Sequence, residues 1–235
     1  MAKTRPALFA NQLLALLPIS EQQRLLPKLE PVALGFRAVL VRALAPLDYA
    51  YFPNHGVISI VSHMQDGTGI EVATIGREGM VGTTVMLGVN AIPAQAIVQV
   101  PGEALRMSAA TLRAEVVRDC PLRQLLLLYQ AAFLAQVSQG VACNGLHPVR
   151  QRCCRWLLMT HDRVHDDDFP MTHEFLAEML GVRRSSVTEV LRPLQNKRLI
   201  RYSRGRITIL DRSGLEAAAC ECYHSVKDEF ARVFG

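Results

Sequence analysis

One stretch limits what this chain can fold into more than any other: MTHEFLAEMLGVRRSSVTEVLRPLQNKRLIRYSRGRITI, from Met171 to Ile209. Thr172 can cap a first helix, with Met171 placed to pack on Leu176 as a hydrophobic staple. Gly181 ends that helix, because glycine accepts the left-handed conformation a sharp turn requires. A second helix opens near Arg184. Its Val187, Val190, Leu191 and Leu194 recur at helical spacing and define a buried face. The opposite face carries Arg184, Ser185, Thr188, Glu189 and Arg192. Pro193 removes a backbone donor and is expected to kink or end the helix. Beyond Leu199 and Ile200, RYSRGRITIL reads as two short strands around a tip at Arg204-Gly205-Arg206.

Such a helix suits a DNA major groove, where short polar groups and forked cations read base edges and flanking cations hold phosphates. Arg184, Ser185, Thr188 and Glu189 are the expected base contacts. Thr172, Arg183, Ser186, Arg192, Arg204 and Arg206 are the expected phosphate contacts. Charge supports this. Nine Lys and Arg lie between Arg183 and Arg212 against Glu189 and Asp211, a net +7 in a chain whose total is +5. The remainder is slightly acidic, so positive charge is concentrated where a polyanion would dock. The bland alternative is a solvated basic surface on an ordinary helical corner.

THEFLAEMLGVRRSSVTEVL followed by LIRYSRGRITI resembles the winged helix-turn-helix of the Crp/Fnr transcription regulators, and the resemblance extends loosely over almost the whole chain. It implies a homodimer on double-stranded DNA, a palindromic operator, RNA polymerase as a further partner, and a small-molecule effector whose identity the residues do not specify. The recognition helix departs from well-known members, which pair Arg and Glu near its start with a second Arg one turn later. Arg184 matches the first Arg, Ser185 replaces the Glu, and Glu189 stands at the second Arg position. This changes the expected base preference, because Glu can accept from cytosine while Arg184 can still bridge guanine.

At 235 residues, 50% hydrophobic and 20% charged, the chain can bury one large or two modest cores. MAKTRPALFANQLLALLP offers a basic end and a short apolar run, but Asn11 and Gln12 interrupt it and no small-residue cleavage site follows. No run approaches the ~20 apolar residues of a membrane span. A cytoplasmic protein without membrane association is therefore expected. Leu13, Leu14, Leu16 and Leu17 make the face of a first helix that Pro18 stops. Ser20 with Gln23 has capping-box spacing for a second, through Leu29.

From about Pro31 to Met107 short apolar runs alternate with turn signals. Candidate strands are Ala38–Val41, Tyr49–Phe52, Val57–His63, Ile70–Thr74, Ala96–Val100 and Ala104–Met107. The breaks hold Pro53-Asn54-His55-Gly56, Asp66-Gly67-Thr68-Gly69, Gly76-Arg77-Glu78-Gly79 and Pro101-Gly102. This pattern implies a β-roll or jelly-roll-like barrel, and the family resemblance is to its cyclic-nucleotide-binding β-roll. There, a Gly-Glu pair and a downstream Arg hold the ribose hydroxyl and cyclic phosphate. Here Gly82 matches the glycine, Thr83 stands where the glutamate belongs, and no Arg or Lys lies between Arg77 and Arg106. A buried phosphate without its cation carries a penalty of several kcal/mol, so cyclic AMP is not the expected effector.

Six cysteines, with Cys153-Cys154 adjacent, do not form a dense disulfide pattern. Family members with an iron–sulfur cluster hold it on cysteines near the N-terminus, and this chain has none before Cys120. Cys153 shares an apolar stripe with Val149, Trp156 and Leu157 and reads as a small buried hydrophobe. Cys220-Glu221-Cys222 falls in a helical pattern that Ser213 and Glu216 could cap, roughly Leu215 to Val233. His161 and His165 share one helix face. A composite zinc or thiol sensor, and haem at His63 or His55, are weaker readings; no cofactor and no metal ligand set are assigned.

Pro121 to Asn144 is the longest helical candidate, about 36 Å if regular. Leu126, Tyr129, Phe133, Gln136 and Gly140 follow an a/d-like spacing, with Leu125, Leu128, Ala132 and Ala135 on an adjoining face. So wide an apolar arc implies burial on two sides, and the resemblance makes the first set a dimer interface. Asn144-Gly145 supplies a stop and hinge, and Pro148 suits the first turn of the next helix. The expected class is α+β: a β-roll sensor domain over 1–120, a dimerisation helix and hinge over 121–145, a winged helix-turn-helix over 146–212 and a terminal helix over 213–235. Two alternatives stay open: a cyclic-nucleotide-responsive regulator of the same fold, and a redox or ligand-binding module without DNA function. There is no P-loop, no Gly-x-Ser-x-Gly and no catalytic His/carboxylate spacing, so no enzyme is expected.

Overall fold

The computed structural model describes residues 8–117, 119–164 and 166–234. The class is α+β, an N-terminal β-sheet domain, a long helix and a C-terminal winged helix-turn-helix. The chain packs as two compact units, one from 1–58 with 75–130, the other from 59–74 with 131–235.

The first unit begins with α1 (Gln12–Ala15) and α2 (Ile19–Leu25). Asn11 caps α1 and is fully buried, its amide donating to Pro53 O and Gly79 O at 2.8 and 2.9 Å. The Ser20–Gln23 capping box does not form. Pro18 occupies the N-cap position of α2 without a side-chain bond, and a 3-10 turn replaces the helix from Leu26 to Lys28. The sheet follows: β1 (Glu30–Leu34), β2 (Val39–Val41), β3 (Tyr49–His63), β4 (Gly69–Ile75) and β5 (Gln95–Ser108). β1 and β2 both pair antiparallel with β5. Two pairs of predicted strands are single long strands, because Pro53–Gly56 lies inside β3 and Pro101-Gly102 inside β5. These are points of close backbone approach. A Cβ on Gly56 would lie 2.6 Å from Val100 O, and one on Gly102 would strike His55 O. Sequence signals for a turn and for a contact too close for any side chain are the same residues. Ser108 then caps α3 (Ala109–Val116), a helix the sequence reading passed over.

The long helix α4 spans Pro121–Leu146, so Asn144 and Gly145 lie inside it and do not stop it. By length and composition it could cross a membrane, against the expectation from the sequence; it nevertheless carries Gln124, Gln130, Gln136, Gln139 and Asn144. Its inner face is covered within the chain. Leu126, Tyr129 and Gln136 are buried within the single chain. Tyr129 lies against Gly79 and donates to Met80 O at 3.3 Å. Gln136 bonds the backbone of Thr74 on both sides, accepting from its N at 3.1 Å and donating to its O at 3.2 Å. Phe133 and Gly140 are half-buried, the latter with Val72 O over it. Of the expected dimer set, Leu126, Tyr129 and Gln136 are thus occupied within the chain, while Phe133 and Gly140 stay partly open. The exposed residues include Leu127, Ala131, Leu134, Ser138 and Val141, about 100° around the same helix, with Leu128 beside them.

In the second unit, the end of β3 and β4 form a hairpin. α5 (Val149–His161) starts after Pro148, which is the N-cap and not a first-turn residue. It ends at His161, so the His161/His165 face is cut short; His165 lies outside the described residues. Cys153, Trp156 and Leu157 are buried, as their stripe implied. Then come β6 (Asp168–Pro170), α6 (His173–Leu180), α7 (Arg184–Asn196), β7 (Ile200–Ser203) and β8 (Arg206–Ile209), the strands in order β6-β8-β7. The predicted terminal helix is two: α8 (Arg212–Ala218), capped by Asp211 and not Ser213, and α9 (Cys222–Phe234). Extended backbone at Ala219 separates them.

Gly79 lies against Tyr129 of α4, and its lack of a side chain is a matter of space. A Cβ there would lie within 2.8 Å of the Tyr129 ring. Gly79→Ala is expected to destabilise the protein by about 1–3 kcal/mol through overpacking, measured as a lower denaturation midpoint at unchanged slope.

Candidate nucleic-acid interface

The helix-turn-helix is built as its sequence dictates. Thr172 Oγ accepts from Phe175 N at 3.1 Å to open α6, and Met171 and Leu176 are both buried. Gly181 closes it at φ 62°. The same glycine meets a second demand, since a Cβ would collide with Ile70 of the hairpin at 2.7 Å. Val187, Leu191 and Leu194 bury the inner face of α7, with Val190 half-buried beside them. Pro193 does not end the helix, which runs on to Asn196. A proline this late in α7 costs one backbone bond and leaves the turn at Gly181 unaffected.

Arg184, Ser185, Thr188 and Glu189 emerge together on the exposed face of α7. Arg183, the N-cap residue, and Arg192 are exposed as well; Ser186 and Thr172 are half-buried at the helix starts. The open N-terminal turn of α7 adds backbone N–H groups and the positive end of the helix dipole to this surface. β7 and β8 form a hairpin whose tip, Arg204 (φ 49°) and Gly205 (φ 74°), has the left-handed pair of a tight two-residue turn. Arg204 is exposed there.

The nine cations of this segment are not equivalent. Arg206 Nε donates to Asp168 Oδ2 at 2.5 Å and its Nη2 to Asp168 O at 3.2 Å, while Thr208 Oγ donates to the same carboxylate. Arg212 is held by Asp162 at 2.5 Å, Glu216 at 3.0 Å and the Tyr223 hydroxyl at 2.6 Å. These two charges are matched inside the protein. The other seven are all exposed: Arg183, Arg184, Arg192 and Arg204 stand on α7 and the hairpin tip, and Lys197, Arg198 and Arg201 lie between them in the chain.

Sequence reasoning missed His173 and Tyr202. The ring of His173 lies 4.3 Å from that of Tyr202, and its Nδ1 is 3.1 Å from Thr188 Oγ on α7. This fixes the hydroxyl of one expected base contact from behind. No motif marks such a pair; only the crossing of α6, α7 and β7 brings them together.

A helix-turn-helix with a three-stranded wing, exposed polar and cationic on one face, defines a DNA-binding regulator, here joined in one chain to a β-sheet domain of sensor type. Family models match both parts: a cyclic nucleotide-binding domain over residues 36–119 and a Crp-like helix-turn-helix domain over residues 151–218. Solved structures agree on the fold. FixK2 from Bradyrhizobium japonicum matches with a TM-score of 0.68 at 14% identity, covering 82% of this chain and 98% of that one. The c-di-GMP responsive global regulator CLP of Xanthomonas campestris matches with 0.65 at 16%, covering 82% and 99%. A crp/fnr family regulator from Eubacterium rectale matches with 0.68 at 18%, covering 86% and 94%. No curated protein matches by sequence. The chain belongs to the Crp/Fnr family of transcription regulators.

Burial, and then the charge of Arg184, hold the His173 imidazole below its ordinary value near 6.5. The unfolded chain then takes up the proton first. Stability is complete above the free histidine value and declines as pH falls through it toward the folded one. Melting temperature should therefore fall between about pH 7 and pH 5.5, and His173→Gln should reduce that fall.

Proposed function

We propose that the protein is a sequence-specific, double-stranded DNA-binding regulator that acts as a homodimer on an approximately palindromic operator. The observation that carries this is the outer face of α7, where Arg184, Ser185, Thr188 and Glu189 stand together with Arg183, Arg192 and Arg204 around them. In the groove, Arg184 bridges guanine, Glu189 accepts from cytosine, and Ser185 and Thr188 complete the reading. Thr172, Arg183, Ser186, Arg192 and Arg204 hold phosphates. Arg206 contributes less than the sequence implied, because Asp168 already neutralises it.

Dimerisation is supported by the outer face of α4. Leu127, Leu134 and Val141 recur every seven residues, exposed by 46, 61 and 70%, with Ala131 and Ser138 at the intermediate steps. This is a coiled-coil seam. A dimer so paired carries its two recognition helices to half-sites about 34 Å apart. Such a regulator works in the cytoplasm and recruits or obstructs RNA polymerase. Its effector is a small molecule other than cyclic AMP, for Thr83 lacks the carboxylate and the Gln95 region lacks the cation that a cyclic phosphate requires.

Base-reading and phosphate-holding residues should differ in kind when mutated. Arg184→Ala should cost about 1–3 kcal/mol on the selected operator and relax preference at one base pair. Arg204→Ala should weaken all sequences about equally and lower the salt slope by roughly one unit. Binding of both variants to an operator and its single-base changes, at several salt concentrations, decides it. If Arg204→Ala shifts the base preference and Arg184→Ala does not, α7 is not the reading element.

A separate measurement tests assembly. Leu134→Asp should convert a wild-type dimer at micromolar concentration into a folded monomer in sedimentation velocity. A wild type that sediments as a monomer would refute the seam.

A further inference from the structure

Four side chains of types that can ligate a metal converge where α4 ends and α9 begins. Cys143 and His147 lie one turn apart at the end of α4, and Cys220 and Cys222 flank the break between α8 and α9. Their ligand atoms all lie within 4.8 Å of one another. Cys143 Sγ is 3.5 Å from Cys220 Sγ, and Cys222 Sγ is 3.5 Å from His147 Nδ1. All three sulfurs are buried, and they form one cluster. We propose that Cys143, His147, Cys220 and Cys222 bind a single divalent zinc ion in a closed tetrahedral Cys3His site.

The distances fit that occupant. Zinc–sulfur bonds of about 2.3 Å place the sulfurs of a tetrahedron about 3.8 Å apart, and a shorter zinc–nitrogen bond brings sulfur and nitrogen to about 3.6 Å. An iron–sulfur cubane would need each ligand on a different iron, which spreads the ligands wider than a shared ion does. Soft thiolates with one imidazole in tetrahedral array select zinc over the hard cations. His147 is already oriented for the task. Its Nε2 lies 3.2 Å from Glu221 Oε1, leaving Nδ1 toward the sulfurs, the carboxylate–histidine pairing that usually backs a metal-bound imidazole. Gln139 Nε2 donates to Cys222 Sγ at 3.0 Å, as outer groups do to ligating thiolates.

A second observation is independent of the ligands. Arg152 and Arg155 on α5 are both more than nine-tenths buried, and each has an Nε without a hydrogen-bond partner. Arg155 acts electrostatically on Cys143, and Arg152 on Cys143 and Cys220. Arg155 also acts on the buried Glu71 carboxyl, but neutral thiols give Arg152 no counter-charge. Three thiolates around zinc carry a net charge of about −1 and supply it.

The full-length protein, grown with zinc and purified under reducing conditions without chelator, should carry one zinc per chain by elemental analysis. Cobalt(II) added to the reduced, zinc-stripped protein should give the near-ultraviolet thiolate-to-cobalt band and strong visible bands of tetrahedral coordination. Cys143→Ser and Cys222→Ser should abolish these signals, and Cys154→Ser should keep them. Glu221→Gln, at an exposed position, should fold normally and bind cobalt roughly 10–100-fold more weakly, which keeps the test decisive should the cysteine variants fail to fold. Wild-type protein without zinc whose reduced form gives no cobalt–thiolate band overturns the proposal. So does a Cys143–Cys220 disulfide in peptide maps with the reduced form equally blind to cobalt.

Discussion

The structure depends on how one helix divides its surface. α4 is apolar over too wide an arc for a single neighbour to cover. One side is consumed within the chain, and the means differ along its length. Near its start Tyr129 fills the space left by Gly79. Further on, Gln136 offers the backbone of Thr74 a donor and an acceptor, as a neighbouring strand would. That polar bond at the inner face sets the helix's rotation more sharply than leucine packing could. A shift of one residue would leave a buried amide and a buried peptide without partners, at about 1–3 kcal/mol each. The outer leucines are thereby fixed in their exposure.

This explains why the helix was legible in the sequence and its facing was not. Length and hydrophobicity announced it within two residues. Two apolar stripes run along it, and periodicity alone cannot say which one the chain keeps for itself. The deciding group, Gln136, looked like an ordinary position in the outward stripe. The helix-turn-helix was easier to read, because Thr172, Gly181 and the Val187–Leu194 spacing are each local consequences of backbone chemistry. The β domain was read in class but not in connection. Pro53–Gly56 and Pro101-Gly102 look like turns until Gly56 and Gly102 are seen to face across to the other strand's backbone. The cysteine–histidine cluster was illegible for a different reason. Cys143 and Cys220 are 77 residues apart, and only the break at Ala219 turns Cys220 and Cys222 toward one another.

Charge on the recognition surface was overcounted in the same way. Formal charge assigns every cation equally to solvent. In the fold, Asp168 claims Arg206, and Asp162 with Glu216 claims Arg212. These three acids lie on or beside β6, α5 and α8, so the lost cations are spent on geometry. Surface pairs of this kind contribute little stability individually, but Arg212 also binds the Tyr223 hydroxyl and stands beside His161, making a network and not an isolated pair.

The position of Gly181 gives the hairpin Ser59–Thr74 a meaning beyond its place in the sheet. Residues from the amino-terminal half of the sequence pack with the DNA-binding half in one compact unit. Ile70 lies against the turn between α6 and α7, His63 Nε2 is 3.8 Å from Glu178 of α6, and Glu71 accepts from Trp156 Nε1 of α5 at 2.8 Å. The Glu71 carboxylate, pushed up by burial, also takes hydrogen bonds from Ser59 and Thr74, which fastens the hairpin's own strands to the same point. Whatever shifts this hairpin must therefore move Ile70 against the Gly181 turn, where a Cβ would lie 2.7 Å from it. A φ of 62° and the nearness of Ile70 both favour glycine at this turn. Three residues beyond Gly181 begins the first turn of α7, where Arg184 and Ser185 stand.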